Sequence, residues 1–102
     1  MKKIEKKMSA AVKSRRAWSE SNTAVIVNLC PGEIRVYLFG NCIYRKNSEG
    51  EFINLCGWPT VTTYSRLRAL GVDICSRQYS PVLRGVGICS KGWYNAKTGK
   101  EK

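Results

Sequence analysis

Alternating apolar and polar positions predict a β-sheet in the middle of the chain. β-Branched residues crowd residues 24–30, and a second alternating run begins at Ile34. Turn-forming pairs separate these runs from two shorter ones. The predicted strands are residues 24–30, 34–39, 42–45 and 51–56. Because short turns join them, we expect a four-stranded antiparallel meander with the first of these runs as a central strand.

Two further apolar runs follow toward the C-terminal end. Residues 72–79 predict a fifth strand, which Pro81 is expected to break. Residues 82–89 predict a sixth strand, in which Gly85 and Gly87 indicate either a bulge or a hairpin tip. The remaining segment has little apolar pattern, so we expect a loose basic tail there.

Start and stop signals of one short helix stand between these groups of strands. Pro59 prevents an upstream helix from continuing through it. Thr62 and Thr63 are the candidate N-cap residues, and Gly71 suits a left-handed C-cap. Three apolar residues follow at three-residue spacing: Tyr64, Leu67 and Leu70. This spacing predicts a helix near residues 63–70 that docks by its Tyr/Leu side.

The N-terminal residues 2–20 have the periodicity of an amphipathic helix with a basic outer side. Its apolar positions are Ile4, Met8, Ala11, Val12 and Trp18. Arg15 intrudes on that side, where its stem can lie along apolar surface with its charge in water. Three placements are open: the helix packs on the domain, extends as a free basic arm, or lies on an anionic membrane surface.

Together these elements predict an α+β protein. We expect an N-terminal basic amphipathic helix, a small bent antiparallel sheet or partial barrel of five to six strands, and one short helix. With 102 residues the chain suits a single fold. The expected division is a helix over 1–20, a β-rich domain over 21–90 and a basic tail over 91–102.

The charge of the chain favours an anionic partner. Eighteen Lys and Arg residues oppose seven acids, which gives a net charge of +11, and most of the excess lies at the two ends. Such a balance favours DNA, RNA or an acidic protein surface, because neutralising phosphates releases counterions. The alternative is a soluble surface that repels other copies of itself.

The residue inventory is poor in catalytic groups. The chain has no histidine and one aspartate, and its five cysteines form no C-x-x-C pair. We therefore expect no enzyme activity, no metal site and no cofactor. Apolar neighbours suit the cysteines to a reduced, buried state in the cytosol.

Basic residues are the candidate nucleic-acid contacts. The first set lies on the N-terminal helix and consists of Lys2, Lys3, Lys6, Lys7, Lys13 and Arg16. The second set, which begins on the exposed side of the short helix, consists of Arg66, Arg68, Arg77 and Arg84. Free N–H groups at the start of that helix also predict a candidate anion site formed by Thr62, Thr63 and Arg66. The alternative is that the threonines only cap the helix and the arginines are a solvated rim.

Aromatic residues add a second kind of candidate surface. Arg35, Tyr37 and Phe39 alternate onto one side of a strand, with Tyr44 and Arg45 near them. Such a face can interleave bases and cations as single-strand binders do, unless the N-terminal helix covers it. Trp58 is open to the same two interpretations, as a stacking platform or as part of the core.

Three motifs between residues 22 and 72 resemble a family of small bacteriophage proteins. They are Asn22-Thr23 at the start of a strand, Val36-x-Leu38-x-Gly40-Asn41-x-Ile43 in a hairpin, and Gly57-Trp58-x-Thr60-x-Thr62-Thr63-x-Ser65-Arg66-Leu67-x-x-Leu70. Phe39 stands where that family often has His, and Arg68 where it often has Asn. The resemblance implies a phage gene product that works in the host cytoplasm, and the basic helix lies outside the resemblance.

These observations predict a non-enzymatic bacteriophage accessory protein that binds nucleic acid mainly through phosphate contacts. The alternative is a phage-encoded inhibitor that binds a host enzyme, such as a nuclease, polymerase or defence protein, by protein–protein contact. A virion component that neutralises packaged genome is a third interpretation. No apolar run approaches the ~20 residues of a membrane span, so we expect no membrane partner.

Overall fold

The computed structural model describes residues 2–27, 32–78 and 80–102. Within them the chain forms two helices and nine strands, the strands being arranged in two antiparallel sheets. The helices are α1 (Lys3–Lys13) and α2 (Val61–Ala69). The strands are β1 (Trp18–Glu20), β2 (Thr23–Val27), β3 (Ile34–Leu38), β4 (Asn41–Asn47), β5 (Gly50–Ile53), β6 (Ile74–Arg77), β7 (Ser80–Leu83), β8 (Val86–Gly87) and β9 (Tyr94–Asn95). The α+β class is confirmed, with six strands in the larger described sheet and three in a smaller one.

The larger sheet contains the predicted meander. Its strand order is β1-β2-β3-β4-β5-β9, and the smaller sheet has the order β6-β7-β8. β2 therefore lies inside the sheet, as predicted. Three parts of the prediction lie outside the described residues: the continuation of this strand over residues 28–30, the turn residue at 31 and the fifth-strand residue at 79. β1 and β9 are the two edges, so the described sheet is open rather than a closed barrel.

Two local features shape the hairpin of β3 and β4. Phe39 and Gly40 both have positive φ values, 50° and 80°, as a two-residue type I′ turn requires. A bulge shifts the register of the two strands. Val36 pairs with Tyr44, whereas the next residue, Tyr37, pairs with Cys42. The residue between them, Ile43, is thereby the extra residue of the bulge.

One face of the larger sheet forms the core. Val25, Val36 and Ile53 are completely buried there, and they belong to one apolar cluster with Met8 of α1 and Leu67 of α2. β5 has a buried side chain on each side of the sheet. Ile53 points into the core, and its neighbour Phe52 points to the opposite side and is also buried. The Lys102 ammonium lies 4.5 Å from the centre of the Phe52 ring, so the C-terminal segment helps to cover it.

The N-terminal helix is docked but shorter than predicted. Met8, Ala11 and Val12 are buried against the sheet and α2, which selects the first of the three placements. The helix ends at Lys13 rather than near residue 20. Trp18 instead belongs to β1 and pairs with Val25, because backbone pairing at the sheet edge replaces continued helix.

The second helix begins earlier than predicted. Its N-cap is Thr60, whose hydroxyl accepts the N–H of Thr63 at 3.2 Å, so the prediction of Thr62 or Thr63 as the cap was wrong. The C-terminal prediction is confirmed, because Gly71 has a φ of 89° and its N–H donates to the carbonyl of Arg68. Tyr64 is buried, as its predicted face requires.

The C-terminal third corrects two predictions. Pro81 lies inside β7 rather than breaking a strand. Proline has no N–H to donate, but its carbonyl accepts a hydrogen bond from the N–H of Ile88. Of the two interpretations of residues 82–89 the hairpin tip is confirmed, because β7 and β8 form a hairpin with Arg84 and Gly85 at its tip. The predicted loose tail is also wrong, because Tyr94 of β9 pairs with Ile53 and is buried.

Candidate nucleic-acid interface

The outer side of α1 carries most of the first set of basic residues, while Lys2 immediately precedes the helix and Arg16 follows its end. The apolar side is fixed against the domain, so the lysines project to the other side. The exposed members are Lys2, Lys3, Lys6, Lys7, Lys13 and Arg16. Lys7 is bound to Glu20 at 2.9 Å, and this pair is largely exposed to solvent. The docked helix therefore presents a fixed array of ammonium groups with one partly neutralised member.

Behind that array lies a buried ionic group, the helix cluster, which joins α1, α2 and β2. It consists of Glu5, Asn22, Thr23, Ser65 and Arg66. The Arg66 guanidinium donates to Glu5 Oε2 at 2.8 Å and to Thr23 Oγ1 at 3.0 Å. Both ionic side chains are about 5% exposed or less. Burial acts to raise the pKa of Glu5, but the hydrogen bonds from Ser65 and Arg66 outweigh it and lower that pKa.

The helix cluster corrects two candidate sites. Arg66 is buried rather than on the exposed side of α2, so it is not at the surface where a nucleic-acid strand would contact it. The candidate anion site is not assembled either, because Arg66 is bound to Glu5 and the Thr63 hydroxyl is bonded to Thr60 and to the Trp58 carbonyl. Thr62 is half-buried at the start of α2.

The other members of the second set are dispersed. Arg68 is exposed on α2 and donates to the carbonyl of Ile74 at 3.4 Å. Arg77 ends β6 and Arg84 occupies the tip of the β7 and β8 hairpin, and both are exposed. These two arginines lie on the smaller sheet, whereas the first set lies on α1 and directly beside its two ends.

A second ionic group, the sheet cluster, lies on the side of the larger sheet opposite to the core. It consists of Glu33, Arg35, Arg45 and Asn47. Glu33 is 4% exposed and accepts Nε of Arg35 at 2.6 Å and Nε of Arg45 at 3.1 Å. The two arginine side chains are 28% and 27% exposed. A single carboxylate therefore holds two guanidinium groups that solvent still reaches.

The electrostatics of the sheet cluster are those of a strong ion pair. A hydrogen bond from Asn47, with those of the two arginines, lowers the pKa of Glu33 against the effect of burial. The pKa of Arg35 is raised above its ordinary value. The larger cause is a hydrogen bond with the Tyr37 hydroxyl, and the next is the hydrogen bond with the Glu33 carboxylate. The Arg45 guanidinium also lies 5.4 Å from the centre of the Trp93 ring.

α1 does not cover this face, which answers a question that the sequence left open. The helix packs on the core side, and the residues of β2, β3 and β4 that define the opposite side are half-buried. We call this side the open face and define it by the cross-strand rows Ala24, Tyr37, Cys42 and Ile26, Arg35, Arg45. Tyr44 is buried on the core side instead, because the bulge in β4 reverses its direction relative to Cys42.

Two hollows lie at one end of the larger sheet. One, of about 310 Å³, lies between Phe39, Leu55 and Trp58, and its walls are mostly apolar. The other, of about 520 Å³, adjoins the open face and is lined by Ile26, Tyr37 and Phe39. Phe39 and Trp58 are each 68% exposed. Trp58 is therefore a surface residue beside an apolar hollow and not part of the core.

The sequence did not point to every residue of these groups. Glu33 and Asn47 lie outside the predicted strands, and Trp93 lies in the predicted loose tail. No local sequence signal points to this group, because only the observed register, with its bulge, places Arg35 opposite Arg45. Two like charges directly opposite one another are unfavourable, so a nearby carboxylate is to be expected in that register.

The four described cysteines are less buried than predicted, and Cys30 lies outside the described residues. Cys42, Cys56 and Cys75 are half-buried free thiols, and Cys89 is exposed. Burial raises the pKa of Cys42 and that of Cys56, so both favour the unreactive thiol form. In the described part of the chain no group of three or more metal-ligating residues occurs. Neither described helix is both long and apolar enough to cross a membrane.

The fold and its surfaces define a class: a small α+β protein with a docked basic helix and an open sheet face. The family model of the Kyanoviridae Gp96 protein matches residues 1–100, and the chain belongs to this phage protein family. The match confirms the expected origin in a small phage protein family, and it includes the N-terminal helix that the sequence resemblance left out. No curated protein and no solved structure matches the chain.

Proposed function

We propose that the protein is a non-enzymatic phage accessory protein that binds nucleic acid in the host cytoplasm, mainly through phosphate contacts. The observation that carries this proposal is the lysine array of α1. Because buried residues fix the helix by its other side, its backbone is ordered before binding, and contact has to order only the lysine side chains. A net charge of +11 adds long-range attraction to any polyanion.

The test is a titration of duplex DNA, single-stranded DNA and RNA at about 50 and 200 mM salt. Phosphate contacts predict an affinity that falls steeply with salt. A variant with Lys2, Lys3, Lys6 and Lys13 changed to Ala should lower the slope on duplex DNA by about 3 to 4, because each lost contact removes about 0.9. Alanine favours helix, so α1 should persist in this variant.

A charge-matched control separates local contacts from net charge. It changes four exposed lysines outside α1 to Ala: Lys46, Lys91, Lys97 and Lys100. The proposal predicts a clearly smaller change in slope for this control. Equal slopes in the two variants would remove α1 as the contact surface, and no binding of any nucleic acid at low salt would end the proposal.

A second candidate function has its own supporting observation. Trp58 lines the hollow of about 310 Å³ and is 68% exposed, and Val61, three residues further along the chain, is 78% exposed. Exposed aromatic residues next to a pocket are typical of protein-binding hot spots, which favours an inhibitor that docks on a host enzyme. Its test is capture of a host protein by the wild type, followed by binding of the purified candidate to wild type and Trp58→Ala. Equal affinities would contradict it.

A further inference from the structure

The open face presents arginine and aromatic side chains in adjacent rows. Across the strands Ile26 is followed by Arg35 and Arg45, and Ala24 is followed by Tyr37. All five are half-buried, so each side chain has one surface against the sheet and another in solvent. A nucleic-acid strand lying across these rows would therefore contact cations and a ring in turn.

The sheet cluster is constructed so that its arginines remain available. Glu33 binds both arginines through Nε, and solvent still reaches 28% of the Arg35 side chain and 27% of the Arg45 side chain. One carboxylate against two guanidinium groups leaves one positive charge. A purely structural pair at these positions would not need two opposed arginines, since like charges across strands are unfavourable.

Phe39 supplies an independent observation. It occupies the first position of a type I′ turn, with a φ of 50°, where Asn, Asp or Gly is strongly preferred. The chain thus keeps a large ring in a strained backbone conformation, and the ring is 68% exposed rather than packed. Phe39 lines the same hollow as Tyr37 and Ile26, at the end of the open face.

We propose that the open face binds single-stranded nucleic acid, with Arg35 and Arg45 on phosphates and Tyr37 and Phe39 stacked on unpaired bases. The inference rests on the proposed nucleic-acid binding and names the form of nucleic acid. Unpaired bases expose their ring faces to aromatic side chains, whereas a duplex keeps its bases stacked inside. Glu33 is the acid of the sheet cluster, and it is already bound to both arginines, so the face complements a polyanion.

The test compares the affinity of wild type and Phe39→Asn for a single-stranded oligonucleotide and for a duplex of the same length. The wild type should prefer the single strand. Phe39→Asn should weaken single-strand binding about tenfold, the scale of one lost stacking contact, and leave duplex binding within about twofold. Asn suits the turn, so Tm should rise, and unfolding cannot account for the loss.

Two further variants complete the experiment. Val86→Asn removes another exposed apolar side chain, 63% exposed on β8, and should leave both affinities unchanged. Arg45→Lys retains the charge but loses the planar group over Trp93. It should weaken single-strand binding while the salt slope stays the same.

Several results would overturn the inference. The first is that wild type and Phe39→Asn bind the single strand with equal affinity, and the second is that the wild type prefers the duplex. The third is that neither protein binds nucleic acid and Phe39→Asn loses binding to a host protein. Salt-dependent duplex binding that needs the α1 lysines but shows no single-strand preference would overturn this inference alone. The proposed function itself fails when no nucleic acid binds.

Discussion

The helix cluster and the sheet cluster use the same chemistry in different surroundings. In the first, Glu5 is bound by one arginine, Arg66, which is 5% exposed. In the second, Glu33 is bound by two arginines that are 27% and 28% exposed. A buried pair with its polar atoms satisfied holds elements together and has no atoms left for a ligand. The half-exposed arginines bind Glu33 and still face solvent, so similar residues differ in their access to solvent.

The largest expected effect comes from removing an arginine from each cluster. Arg66→Ala leaves Glu5 buried without a cation, which should lower the free energy of unfolding by about 3–5 kcal/mol. Arg45→Ala leaves Glu33 with Arg35 and Asn47, so the loss should be about 1 kcal/mol. Urea unfolding followed by tryptophan fluorescence measures both. Losses of equal size would show that the two clusters do not differ as their burial indicates.

The pH dependence of stability should show both carboxylates. The pKa values of Glu5 and Glu33 are lowered in the folded state, so unfolded chains bind more protons once the pH approaches about 4.3. Their contribution is present at neutral pH and is lost as the pH falls through the folded pKa values. Urea midpoints at several pH values between about 3 and 7 should be level at first and then fall in acid.

The two single variants sharpen this result. Glu5→Gln and Glu33→Gln should each be less stable than wild type at neutral pH and lose less stability on acidification. If either variant follows the wild-type pH profile, that carboxylate has no lowered pKa in the folded protein.

The smallest expected effect is a response to inorganic phosphate. Phosphate at about 20 mM should raise Tm by about 1 °C over chloride of equal ionic strength, because a weak ligand of the folded state stabilises it by mass action. Arg45→Ala should reduce the shift, since its guanidinium is half-exposed. The four-lysine variant of α1 is the comparison, and it should retain the part of the shift that belongs to the sheet cluster. An unchanged shift in Arg45→Ala would separate the sheet cluster from anion binding.

Local sequence signals predicted the elements that depend on near neighbours. Alternation located β2 to β5, and the pattern of Tyr64 and Leu67 gave the buried face of α2. Gly71 marked the end of that helix, because a positive φ favours glycine. The lysines of α1 were placed on the correct side, since the helical period alone separates them from Met8 and Ala11.

Signals failed where two segments competed for one stretch of chain. The apolar period continued to Trp18, but pairing with β2 drew that residue into β1. The segment after residue 90 has few apolar residues, yet Tyr94 pairs beside β5 and is buried there. Neither partner is visible in the local pattern, because strand pairing joins residues that are distant in the chain.

The sequence by itself determined the class of fold, the basic outer side of α1 and the alternation that gives the larger sheet two unlike faces. Only the tertiary structure decided which arginines are buried. Arg66 is held by residues 43 to 61 positions away, whereas Arg35 and Arg45 meet at Glu33 on the open face. The physical reason is that the availability of a charge depends on its solvation and partners, and the folded chain sets both.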